Sequence, residues 1–206
     1  MGVHERRARH KTLLRQEILD AAREILVKEG FGRLTMRRVA DKIDYSPTAI
    51  YLHFATKKDL IFSVCEETFA KLNRELEVVA HDVRDPLAAL KKGLRTYVDF
   101  GLRHPEYYLP TFVMPHDATE GPTQSQPPPD PASLGMRAFT SLARRVAECV
   151  QQGKIRKVDV EATSRVLWAG VHGITSLLIV HPAFPWGDRD KVIDLLIESI
   201  TDGLKT

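Results

Sequence analysis

Between Leu34 and Asp59 the chain carries three helix-start signals, spaced so closely that only short helices fit between them. Thr35 suits an N-cap, because its hydroxyl can accept a hydrogen bond from a free backbone N–H of the first turn. Leu34 and Val39 occupy the two positions of a hydrophobic staple. A helix is therefore predicted to begin at Met36, with Val39, Ala40 and Ile43 as its apolar stripe and Arg37, Arg38 and Lys42 left outside. It ends near Ile43, and Asp44 follows where a sharp turn demands a left-handed backbone that Asp tolerates better than most residues. Ser46 is the next cap, with Pro47 at the first helical position, where its missing N–H costs nothing. Tyr45 and Ile50 repeat the staple. This second helix should run about two turns to Phe54, and its outward side chains Thr48, Ala49, Tyr51 and His53 are small or hydrogen-bonding. Thr56 and Asp59 form a capping-box-like pair that starts a long helix at Lys57.

Two short helices about a tight turn are the arrangement that lays a helix in the major groove of DNA. Residues 12 to 60 resemble the three-helix DNA-binding domain of the tetracycline-repressor (TetR) family of bacterial transcription regulators. The likeness rests on Ile18-Leu19-Asp20-Ala21-Ala22 through Glu29-Gly30-Phe31, on the Thr35 cap with Val39-Ala40, and on Ile50-Tyr51-Leu52-His53-Phe54 followed by Thr56-Lys57-Lys58. It implies that Arg37, Thr48 and Ala49 face base edges, Thr by hydrogen bonds and Ala against a thymine methyl. Ser46 would cap the recognition helix, and Tyr51, His53 and Lys57 would hold phosphates. Asp44-Tyr45 departs from the Gly-Val usual in the family, which should alter turn strain and packing and leave binding intact. Arg38 and Lys42 equally suit an ordinary solvated face.

Charge supports the same assignment. The net +3 conceals an asymmetry: residues 1 to 58 hold 13 Lys and Arg against 7 Asp and Glu, and the remainder 17 against 20. A basic N-terminal part is what phosphate neutralisation requires. Arg6, Arg7, Arg9, His10 and Lys11 form a basic arm with few apolar anchors. It is expected to be disordered when free, and to reach a minor groove or merely to solubilise.

The first residues lack the apolar stretch of a signal peptide, and the apolar region Val166 to Val180 is about 15 residues, short for a membrane span. Cys65 and Cys149 lie far apart without paired spacing, as suits reduced thiols in a cytoplasm. Beyond residue 58 the signals are helical throughout. Asp85-Pro86 and Asp130-Pro131 read as cap-plus-proline starts, Asp159 and Asp188 as further caps, and Gly153 and Gly203 as stops. Helices are predicted near 57–80, 86–103, 105–113, 131–152, 160–181 and 188–203. Six prolines between residues 115 and 131 mark a mobile loop within one domain. The chain is thus expected to be all-α, with a basic arm and helix-turn-helix domain over 1–58 and a roughly six-helix domain over 59–206.

The helix near 160–181 resolves into faces at 100° per residue. Arg165, Trp168, His172, Thr175 and Ser176 share one side; Val166, Gly170, Gly173 and Leu177 share the other, where glycines allow close approach. The last helix is apolar on more than one side through Val192, Leu195, Leu196, Ile193 and Ile197. Helices this apolar need a further partner, which a homodimeric four-helix bundle supplies. Val166, Gly170, Gly173, Leu177, Val192, Leu195 and Leu196 are its candidate interface. Trp168-Ala169-Gly170-Val171-His172-Gly173 resembles the Trp-His-Gly signature of one TetR C-terminal class. The family resemblance implies a small-molecule effector in this domain, for which Phe69, Tyr97, Phe100, Tyr108, Phe112, Met136, Phe139, Trp168 and His172 are candidates. Most of these aromatics also suit a plain core.

No nucleophile elbow, phosphate loop or clustered metal ligands occur, so no cofactor or metal is implied and an enzyme is not expected. The reading is a cytoplasmic, dimeric regulator that binds double-stranded DNA at a palindromic operator and is released by a small-molecule effector. Two alternatives stand beside it: a nonspecific DNA-coating protein, and an all-α thiol enzyme using Cys65 or Cys149.

Overall fold

The computed structural model describes residues 2–113 and 130–205, and these are all-α. In chain order they form α1 (Val3–Glu29), a 3₁₀ turn (Phe31–Arg33), α2 (Met36–Lys42), α3 (Pro47–Tyr51), α4 (Lys57–Asp82), α5 (Pro86–Arg103), α6 (Pro105–Tyr108) with a π-helical turn (Leu109–Val113), α7 (Leu134–Gln151), α8 (Val160–Val180) and α9 (Arg189–Asp202). They divide into two compact units. The described residues of the first are 2–68 and 106–113; those of the second are 69–105 and 130–205.

In the first unit α1 to α3 and the start of α4 close over Ile18, Ala22, Ile25, Leu26, Leu34, Val39, Ala40, Ile50, Phe54, Leu60 and Val64, all buried. The caps form as their residue types dictate. Thr35 Oγ1 accepts from Arg38 N at 3.1 Å, Ser46 Oγ accepts from Ala49 N at 3.3 Å, and Thr56 and Asp59 exchange bonds of 2.9 and 3.1 Å. Asp44 takes φ 57° between α2 and α3. Five residues are far too few for a helix to persist alone in water. Burial of Ile50, together with Phe54 just beyond its end, contributes roughly 1.5–3 kcal/mol each and holds α3 in place.

The basic arm is a correction. Residues from Val3 onward are helical, so the expected disordered arm is instead the first turns of α1. Gly2 supplies the cap position, and its N–H donates to Glu5 Oε2 at 2.8 Å. The segment 105–113 also differs, since the α-helix stops at Tyr108 and widens into a π turn. Pro110 lies in that turn and has no N–H to continue an α ladder. With Glu106 onward it belongs to the first unit, where Arg23 stacks at 4.1 Å on the Tyr107 ring.

In the second unit α8 packs on α5, α7 and α9. It is the one described helix long and apolar enough to cross a membrane by length and composition. Its stripe Leu167, Val171, Ile174 and Leu178 is buried inside the unit. Asp85, Asp159 and Asp188 cap α5, α8 and α9 as expected. The start of α7 is a second correction: Ser133 caps it, and Asp130 instead accepts from Ala132 N in the preceding turn. Of the proline-rich segment expected to be a mobile loop, residues 115–129 lie outside the described residues. The later turns of α4 join this unit through Asn73 Nδ2, which donates to the Leu134 carbonyl at 3.0 Å. Phe69 adds its ring against Gly135.

Candidate functional site

The Asp44 turn and the Ser46 cap present α3 with Thr48 and Tyr51 exposed and Ala49 and His53 half-buried. On α2 the three basic residues separate. Arg38 pairs with Glu29, and Lys42 Nζ lies 3.1 Å from Glu24 Oε1, so both are tied to α1. Arg37 is exposed. Lys57, assigned by the resemblance to a phosphate, donates to the Phe31 carbonyl at 3.3 Å and sits 4.4 Å from the centre of that ring. Burial, then the nearby Lys11, Arg15 and His10, holds the His53 imidazole below its ordinary value. Chemically this surface offers hydroxyls, a methyl and a guanidinium at one edge of a short helix, with no carboxylate on α3 itself. Those groups suit base edges and phosphates.

A cluster that ordering by sequence does not reveal lies in the same unit. Arg23 is 6% exposed, pairs with Asp20 at 2.7 Å and with Glu67, and leaves its Nε without a hydrogen-bond partner. Thr111 Oγ1 donates to Thr68 Oγ1 at 2.9 Å nearby in the same unit, and both are buried. Its members come from α1, α4 and the 105–113 segment, so no local spacing could have announced it.

The candidate effector residues fall into both units. Tyr108 and Phe112, with ring centres 4.8 Å apart, belong to the first, where Tyr108 is fully buried. In the second, Phe100 is core, while Phe69, Met136 and Phe139 are half-buried. The structure brings together Tyr97, Trp168 and His172. Trp168 Nε1 donates to Tyr97 Oη at 3.4 Å, and that oxygen lies 3.3 Å from His172 Nδ1. Ser176 Oγ, absent from the candidate list, stands 3.4 Å from His172 Nε2. Burial lowers the His172 pKa, favouring a neutral ring that both accepts and donates. Thr175, which the helical wheel put on this side, is buried with its hydroxyl donated to the Val171 carbonyl.

Among the candidate interface residues, Val166, Leu177 and Leu195 are exposed and Val192 and Leu196 half-buried. A Cβ on Gly173 would meet nothing within 4 Å, whereas one on Gly170 would touch Ile200 of its own chain at 3.4 Å. The cysteines are poor nucleophiles. Burial pushes the Cys65 thiol up to about 11 despite a hydrogen bond with Thr111, and burial with Asp85 and Glu148 pushes Cys149 up to about 11. Protonated thiols do not attack. Among the described residues no group of three His, Cys, Asp or Glu could hold a metal ion.

Comparison with known proteins bears on the family and the fold. The HTH-type transcriptional repressor NicS of Pseudomonas putida is 31% identical over 101 residues, 49% of this chain and 48% of NicS, so the match spans about half of that relative's length. The probable HTH-type transcriptional regulator ArpR of Pseudomonas putida is 26% identical over 188 residues, 87% of this chain and 88% of ArpR. Two solved structures share the fold. FadR of Bacillus subtilis, in complex with stearoyl-CoA, superposes with a TM-score of 0.72 at 15% identity, covering 92% of this chain and 98% of that one. A protein of unknown function from Rhodococcus sp. RHA1 gives 0.71 at 24%, covering 94% and 96%. Residues 18–64 match the family described as bacterial regulatory proteins, tetR family, and residues 90–200 match the tetracyclin repressor-like C-terminal domain. Since that second match alone takes in more than half of the chain, the protein belongs to the TetR family of bacterial helix-turn-helix transcription regulators, which are not enzymes.

Proposed function

We propose that the protein is a cytoplasmic homodimer that represses transcription by binding a palindromic operator and is released from it by a small-molecule effector. The observation that carries this reading is the α3 surface, where capped, buried anchors hold Thr48, Ala49 and Tyr51 outward beside the exposed Arg37. Thr48 and Ala49 read bases in this scheme, and Tyr51 and His53 hold phosphates. Residues 1–58 act as the DNA-binding part and 59–206 as the effector and dimer part. The apolar residues left exposed on α8 and α9, Val166, Leu177, Val180 and Leu195, support burial against a second copy. Support for an effector comes from Tyr97, Trp168, His172 and Ser176, polar groups converging among aromatics. Trp168, His172 and Gly173 alone support the narrower Trp-His-Gly class.

Selection of bound duplexes from random DNA, followed by competition against bulk DNA, tests the reading. A palindrome preferred by about 10³-fold or more is expected. Equal affinity for every sequence would instead favour a nonspecific coating protein.

A further inference from the structure

The N-terminal turns of α1 repeat the pattern of its core face without any core beneath them. Within the domain this helix buries Leu14, Ile18, Ala21 and Ile25. Continued toward the N-terminus at steps of seven, that stripe passes from Ile18 to Lys11 and His4, and from Leu14 to Arg7. Seven residues bring a helix back to within about 20° of the same face. His4, Arg7 and Lys11 therefore lie on the face that packs on the helix-turn-helix, displaced along the axis to where the domain ends. All three are exposed. Arg6 and Arg9 lie on the opposite side of the helix.

Among the described residues this stripe has few acids to neutralise it. Residues 2–16 contain five Lys and Arg and a single acid, Glu5, which is engaged with the Gly2 N–H. It also adjoins the DNA-reading surface. Arg15, one turn beyond Lys11, stacks 4.4 Å over the Phe54 ring and donates to Ser63 Oγ at 3.2 Å. Phe54 directly follows His53. The charges of Lys11, Arg15 and His10 are felt at the His53 imidazole, where they add to burial in disfavouring protonation. An apolar partner would find a row of cations here, whereas a polyanion running past the end of α3 would find them spaced along its path.

We propose that the helical extension of α1 is a second DNA-binding element, in which His4, Arg7 and Lys11 hold backbone phosphates of duplex DNA flanking the bases read by α3. Residues 3–13 extend about 16 Å at 1.5 Å per residue, the length of about five base pairs at 3.4 Å each. The extension thus lengthens the footprint on each side without reading sequence. This inference rests on the operator reading above, and its test separates the two.

Affinity of the full-length protein is measured against salt on the selected palindrome carrying about ten flanking base pairs on each side, one helical turn, and on the same palindrome trimmed at its edges. The double variant Arg7→Gln/Lys11→Gln keeps good helix formers at exposed positions, and circular dichroism checks that helicity is retained. Loss of two phosphate contacts should lower the log–log salt slope by about 1.8 per protomer. On the trimmed duplex, wild type and variant should converge. Arg6→Gln/Arg9→Gln, on the outer face, should leave the slope of the long duplex near that of wild type. An unchanged slope for Arg7→Gln/Lys11→Gln, or equal losses in both variants, overturns the extension while leaving the operator reading standing. A wild-type protein without sequence preference overturns both.

Discussion

Asp44 is the only described residue other than glycine with positive φ, and it holds the turn on which the orientation of α3 depends. A left-handed backbone costs an L-residue roughly 1–2 kcal/mol, less for Asp, which can bond locally. Asp44→Gly should therefore raise stability by up to about 1 kcal/mol, and Asp44→Val should lower it by about 1–2 kcal/mol. Urea unfolding decides, and a stabilising valine would refute the strain. His172 carries a different prediction. Its folded pKa lies below the ordinary histidine value because burial disfavours the charged ring. Below about pH 6.5 the unfolded chain takes up a proton that the folded chain resists, so stability falls as pH drops from 6.5 toward the folded value. His172→Gln should flatten that fall. Identical unfolding midpoints for wild type at pH 7.5 and 5.5 would contradict it.

At the level of elements, Arg23 joins three segments distant in the chain: Asp20 on α1, Glu67 on α4 and the Tyr107 ring of α6. Its buried guanidinium is stabilising only while those partners stay in place, because one nitrogen already goes unpartnered. Arg23→Ala should cost about 2 kcal/mol, below the usual range for a broken buried pair because Asp20 and part of Glu67 remain in water. A change under about 0.5 kcal/mol, the level of an ordinary surface substitution, would mean that the three elements hold together without it. The 105–113 segment follows from the same cluster, since its π turn carries Thr111 to Thr68 where a straight α ladder would break at Pro110.

For the whole molecule the decisive contrast is between two glycines of one helix. A Cβ on Gly170 would already touch Ile200 of its own chain, whereas one on Gly173 would meet none of the described residues within 4 Å. Gly173→Leu should fold, since among the described residues nothing lies within 4 Å of a Cβ at this position, yet separate the proposed dimer by blocking close approach of the helices. Sedimentation should then show monomers, and affinity for a palindrome should fall because one protomer spans only one half-site. A variant that sediments as a dimer with unchanged DNA affinity would assign the interface to another face.

The helix-turn-helix was legible in the residues themselves. Thr35, Ser46, Thr56, Asp85, Asp159 and Asp188 cap the helices they announce, because a cap bond spans only about three residues and needs nothing from the rest of the chain. Local order failed where competing starts lay close together, as when Ser133 displaced Asp130 at α7, and where a charged arm proved helical. Tertiary structure alone decided that Arg38 and Lys42 are tied to α1, that Tyr107 and Thr111 join the first unit, and that Tyr97 meets Trp168 and His172. Those pairs lie between 9 and 84 residues apart in the chain, where no helical period relates one residue to another and only packing brings them into reach.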